Sequence, residues 1–190
     1  KHCVKMILEY AQLLSTAHRI LDGVPTVSVG ASGRRSTRYH LSDIRDSTLY
    51  TATHANHPSA IWVRKSDKNY DWLFSLFTEL MNEYTYRYSK VHACSKLEMH
   101  LANLPKNISM GEFTQPTPAM PDEYKVEGDS IASYHNYYLG AKVKMSRWTN
   151  REMPEWFHIG INTKYDDTCY MEYKPKLDRV ISMPLQHANL

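Results

Sequence analysis

The stretch HCVKMILE places His2, Lys5 and Glu9 at spacings of three, four and seven residues. On a helix these spacings share one face, so an imidazole, an ammonium and a carboxylate line a single stripe. A cation one turn from a carboxylate favours its ionised form, and an ionised carboxylate can accept a proton. Such a stripe equally suits a solvated helix face laced by an ion pair. Spacing alone leaves both readings open for Glu9.

A second group is cationic. Arg34, Arg35 and Arg38, with Tyr39 and His40, fall in GASGRRSTRYHLSD (30–43), which reads as a Gly/Ser-rich basic loop. Guanidinium forks match phosphate oxygens, and small neighbours allow a backbone to come close. A solubilising surface loop has the same composition. His57 stands before Pro58 at the start of HPSAIWVR, where it can meet an anion or cap a helix. Trp62 is expected in the core. Two tyrosine clusters follow, YTYRY (84–88) and YHNYY (134–138). The second carries Tyr137 and Tyr138 and leads into Lys142, Lys144 and Arg147. Aromatics among cations can stack on bases and grip phosphates, or simply pack half-buried. HANH (54–57) holds two histidines but no carboxylate partner, so no metal site is expected. There is no Walker loop, GxGxxG, HExxH or GxSxG.

The elements that must carry these groups are mainly helical. Apolar periodicity predicts helices over 2–21, 68–88, 91–105 and 130–148, with a short one in 57–66. In the first, Val4, Ile7, Leu8, Ala11 and Leu14 form the expected buried face, with Gln12 and Thr16 opposite. Leu73, Leu76, Phe77, Leu80 and Tyr84 form the buried stripe of the 68–88 helix. Asp67 and Asp129 are expected caps, and QPTPAMPDEY (115–124) an extended connection. The fold class is therefore mostly α, compact and with long ordered loops. A core domain is expected over 1–148 and a C-terminal extension packed on it over 149–190, with a short β-hairpin or coil around CYMEY (169–173). At 190 residues the chain can bury a real core. Its net charge of +3 suits a polyanionic partner. Cys3, Cys94 and Cys169 have no metal-binding or disulfide spacing. No apolar run is long enough to span a bilayer, and the expected location is cytoplasmic.

The order of these motifs resembles the pyrimidine-dimer DNA glycosylase family, small all-α phage repair enzymes and their bacterial relatives. His2 and Glu9 in KHCVKMILE match the seven-residue His-to-Glu step of that family's first helix. ASGRRSTRY (31–39) is similar to its basic loop, and HPSAIW (57–62) to its His-Pro-x-x-x-Trp block. EYTYRYSK (83–90) and NYYLGAK (136–142) resemble its later tyrosine-rich segments. The first helix also resembles that of phage proteins, which implies a viral origin and action in the host cytoplasm.

The resemblance implies a glycosylase/AP lyase acting on damaged or modified bases in duplex DNA, with neither metal nor organic cofactor. It implies Glu9 as the catalytic carboxylate and His2, Lys5, Arg34, Arg35, Arg38, His57, Tyr137, Tyr138 and Lys142 as DNA contacts. Leu8 and Gln12 stand where the family has arginines beside the Glu. The amine nucleophile is expected about a dozen residues before His2, ahead of Lys1. The amine of Lys1 would lie roughly 12 Å from Glu9 along a helix. Two other readings remain: a non-enzymatic phage nucleic-acid-binding protein, and a structural or interaction subunit.

Overall fold

The computed structural model describes residues 2–29, 33 and 35–164. The chain divides into two compact units, residues 1–117 and 118–190. The division falls inside the proline-rich connection, ahead of the boundary expected at 148. The fold is mostly α, with one two-stranded sheet among the described residues.

The first unit is built on two long helices, α1 (His2–Asp22) and α4 (Asp67–Tyr88). They pack antiparallel: the Cys3 thiol donates to the Leu80 carbonyl at one end, and His18 meets Tyr70 at the other. Ile7, Ala11 and Leu14 of α1 are buried with Leu73, Phe77 and Met81 of α4. The expected α1 stripe is rotated at its start. Val4 and Leu8 are 39 % and 38 % exposed, whereas Thr16 is buried. The reason is the second half of the helix, where six successive residues from Leu14 to Arg19 are all buried.

Gly23 ends α1. A Cβ there would stand 2.3 Å from the Arg19 carbonyl oxygen, which the Gly23 amide must reach to close the helix. Part of the 30–43 segment expected as a basic loop is instead a strand, β2 (Arg35–His40), which pairs antiparallel with β1 (Val24–Val29) in a hairpin, Val24 opposite His40 and Val29 opposite Arg35. Every described side chain in it is exposed except Tyr39, which is half-buried. With solvent on both faces, the short Thr26/Ser28 against Val27/Val29 alternation of β1 has no core to face, and β2 carries no apolar alternation at all.

A short helix α2 (Arg45–Thr48) precedes α3 (Pro58–Val63), which starts at Pro58 as expected. The N-cap of α4 is Ser66, whose hydroxyl accepts from the Asn69 amide at 3.2 Å; Asp67, the expected cap, is the first helical residue. Asp67 turns to the strap 109–114 and accepts from the Gly111 amide at 2.8 Å, while Asn69 accepts from the Thr114 amide at 2.8 Å. The expected 91–105 helix is a 3₁₀ turn over Ala93–Leu97 followed by the one-turn α5 (Glu98–Leu101).

In the second unit Asp129 caps α6 (Ser130–Tyr137), accepting from the Ala132 amide at 2.9 Å. The helix expected to reach 148 opens after Tyr137 into a wide π turn over Tyr138–Lys142. Gly140 sits where a Cβ would be 2.3 Å from the Tyr124 ring. A further helix, α7 (Glu155–Lys164), replaces the coil or hairpin expected for that part of the tail, and the CYMEY segment lies outside the described residues. Among the described residues no helix is long and apolar enough to cross a membrane.

Candidate nucleic-acid interface

The first half of α1 carries the stripe picked out by spacing. Lys5 Nζ and Glu9 Oε1 are 3.0 Å apart, with side chains 71 % and 40 % exposed. His2 is exposed at the start of the same helix. The carboxylate thus stands in solvent on a rigid element whose opposite face is core. An exposed i,i+4 pair of this kind contributes only about 0.3–0.5 kcal/mol to stability.

The second half of α1 is a polar core. Arg19 is 4 % exposed, and its guanidinium spends all five N–H groups inside the protein. Nε donates to the Tyr50 carbonyl at 2.9 Å. Nη1 donates to the Tyr39 carbonyl at 2.9 Å and to Asp46 Oδ1. Nη2 donates to the carbonyls of Asp46 at 2.7 Å and Leu49 at 2.9 Å. Arg19 is therefore a staple holding the foot of the hairpin and the 46–50 segment onto α1. It has no donor left for a ligand.

Beside it runs a second chain of bonds. Arg45 donates through Nη1 to Asp22 at 2.6 Å and to His18 Nδ1 at 2.8 Å, and through Nε and Nη2 to Asp43. Because an arginine only donates, His18 Nδ1 must accept and Nε2 must carry the proton. That proton points at the Tyr70 hydroxyl, 2.7 Å away, which donates in turn to the Leu101 carbonyl at 2.9 Å. Burial first, then the charge of Arg45, pulls the His18 pKa down to about 4. Burial opposes ionisation of Asp22, but the Lys106 amide, Arg45 and the Asn107 amide outweigh it and hold its carboxyl below the usual range. The Leu41 amide, followed by Arg19, does the same for Asp46.

A cleft of about 210 Å³ opens at the foot of the hairpin, where Arg38 and His40 face Arg19, Asp46 and Thr51. Arg38 is exposed, and its guanidinium has no partner among the described residues; the same holds for Arg35. Strand geometry puts these two arginines on opposite faces of the hairpin, since Cβ directions alternate and they are three residues apart. His57 is occupied locally, its Nδ1 accepting from the Ser59 amide at 3.2 Å as the N-cap of α3. Trp62 is buried as expected and donates to the Thr114 carbonyl.

No family of known proteins matches this chain, and neither does a curated protein or a solved structure.

In the second unit Lys142 Nζ lies 5.0 Å from the Tyr137 ring centroid. Tyr137 also packs on Tyr124, while Tyr138 meets Trp156 edge-on and its hydroxyl pKa is raised by burial. Trp156 stacks on His135 at 3.9 Å. These tyrosines are mainly packing groups, with Lys142 at their edge.

The residues singled out from sequence thus fall in four places, with His57 alone at the start of α3. Lys5 and Glu9 meet on α1, Arg35 and Arg38 share β2, and Tyr137 and Lys142 meet on the second unit. Glu9 and Gly23, where the hairpin begins, are roughly 20 Å apart along the axis of α1. Arg34 lies outside the described residues. The sequence reading missed the Arg19 and His18 networks. Their one local signal is Asp43, Arg45 and Asp46 crowded into SDIRDS (42–47), two acids flanking an arginine in a stretch without periodicity. Among the described residues no cluster of three or more His, Cys, Asp or Glu could hold a metal.

Proposed function

We propose that the chain binds duplex DNA and acts on it as a repair-type glycosylase/AP lyase, with Glu9 as its catalytic carboxylate. The observation that carries this reading is the placement of Glu9: half-exposed on a solvent-facing stripe, 3.0 Å from the Lys5 ammonium, on a helix clamped to the core through its other face. A carboxylate so placed can approach a sugar, with an ammonium beside it to meet a phosphate. The basic hairpin supports the choice of a polyanionic partner. In the proposed reaction a primary amine attacks C1′ of the damaged nucleotide and expels the base, leaving an imine. Glu9 then takes the C2′ proton, and the electron pair released expels the 3′-phosphate. The reading rests on the motif resemblance together with this geometry.

The test is borohydride trapping on ultraviolet-irradiated or abasic duplex, using protein with its native amino terminus. A covalent adduct is expected, and its absence would sink the lyase assignment. Glu9→Gln should reduce scission at least about 100-fold, within the usual range for losing an acid–base group. The same variant should change stability by less than about 0.5 kcal/mol, because only an exposed ion pair is lost. A second reading, duplex binding without chemistry, is favoured by Arg38 and Arg35, whose guanidinium groups have no partner among the described residues. It would show as salt-sensitive binding that Glu9→Gln leaves intact and that ignores damage.

A further inference from the structure

We infer that the β1–β2 hairpin enters the major groove of duplex DNA with its Thr26–Ser28–Ser36–Arg38 face against the base edges. This deepens the duplex-binding reading above and rests on it. The register decides which side chains share a face. Thr26 pairs with Arg38 and Ser28 with Ser36, so these four project together. The Ser28 and Ser36 hydroxyls are 2.9 Å apart and exposed, forming a low, flat patch of donors and acceptors with a guanidinium beside it. The opposite face is chemically different. It carries Val27 and Val29, 62 % and 63 % exposed, and the half-buried Tyr39, whose Cβ approaches Gly23 at the end of α1.

Charge and shape favour the same occupant. Residues 24–40 contain three arginines and no acidic residue. The carboxylates that flank this stretch in sequence, Asp22, Asp43 and Asp46, are each paired with Arg45 or Arg19, which reduces their repulsion of a phosphate chain. The hairpin is fixed at its foot, where Arg19 holds the Tyr39 carbonyl, and projects as a ribbon of six residue pairs, roughly 20 Å long. A major groove about 12 Å wide admits such a ribbon, while a minor groove about 6 Å wide does not. In the groove an arginine fork can meet O6 and N7 of guanine, and serine hydroxyls can meet any base. The A-form major groove is too deep and narrow for this approach, so double-stranded RNA is a poor occupant.

Chemical probing tests the placement. A short GC-containing duplex saturated with the protein is treated with dimethyl sulfate, which methylates guanine N7 in the major groove and adenine N3 in the minor groove. Protection of N7 with N3 still reactive is expected. Ser36→Glu should abolish that protection, whereas Thr37→Glu, with the same added charge one residue along on the other face, should retain it. Arg38→Ala should weaken duplex binding roughly 10- to 100-fold, with an unchanged circular dichroism spectrum. Duplex RNA of the same sequence should compete poorly. Tight duplex binding with N7 fully reactive would overturn the inference and leave the DNA reading standing, as would equal effects of Ser36→Glu and Thr37→Glu. Failure of the wild-type protein to retain any duplex at low salt would overturn both.

Discussion

At the scale of single residues, the two basic side chains that spacing would treat alike behave oppositely. Arg38 has a guanidinium without a partner among the described residues, whereas Arg19 has none of its five donors to spare. Arg19→Lys keeps the charge but supplies only three donors in a different geometry, so buried carbonyls lose their partners. We expect a loss of about 2–4 kcal/mol, read as a lower urea midpoint, and a change under about 0.5 kcal/mol would contradict the staple. His18 makes a second prediction, through pH. Unfolded, its imidazole takes up a proton as pH falls through about 6.5. Folded, with a pKa of about 4, it resists until much lower pH. Its contribution is therefore complete above pH 6.5 and drains away as pH falls towards 4, by up to roughly 3 kcal/mol. His92, also lowered by burial, adds in the same direction. Urea unfolding between pH 7 and 4.5 should show this fall, with a shallower slope in His18→Gln; equal slopes would rule out His18 as the source. Neither network was legible in the sequence, because the acceptors around Arg19 lie 20 to 31 residues away and converge only in the fold.

Elements were legible where their signals are local. The 3.6-residue periodicity of α1 and α4, Pro58 opening α3 and Asp129 capping α6 are each written within a few residues. The hairpin was not, since exposed strands carry no core-facing alternation. The end of α6 was missed for a different reason. The apolar pattern of residues 130–148 runs on, but Gly140 lets the chain pass against Tyr124 inside a π turn. Gly140→Ala would ordinarily raise helix propensity by about 1 kcal/mol. Here the added methyl meets the Tyr124 ring at 2.3 Å, with a second ring carbon at 2.9 Å and the hydroxyl oxygen at 3.0 Å. A net destabilisation of about 1–3 kcal/mol is expected. Thermal unfolding monitored by tryptophan fluorescence would report it, and a stabilised variant would show that the ring moves aside freely.

For the whole molecule, the division within the proline-rich connection makes a claim about autonomy. The first unit contains its own closed polar core, with His18, Arg19, Asp22, Arg45 and Tyr70 all bonded inside residues 1–117. Limited proteolysis should therefore cut near Ala119–Met120, between prolines that block neighbouring sites, and leave an N-terminal fragment that still unfolds cooperatively. Digestion of that fragment as fast as denatured protein would refute its independence. The boundary expected at 148 leaves α6 with the first unit, whereas the stacking of His135 of α6 on Trp156 of α7 joins these two helices within the second.

A two-stranded sheet has two open edges. In the β1–β2 hairpin both strands are border strands among the described residues, and apart from the Tyr39 carbonyl held by Arg19 each turns outward backbone amides and carbonyls that no third strand pairs. Left plain, with Val24, Val27 and Val29 exposed, β1 would template its own kind, strand upon strand between molecules. Pro25 removes one donor from that rim, and Arg35 and Arg38 bring repelling charge to the other. The same arginines that suit a polyanion thus also oppose strand-on-strand pairing between molecules, so that removing their charge should promote self-association through this edge.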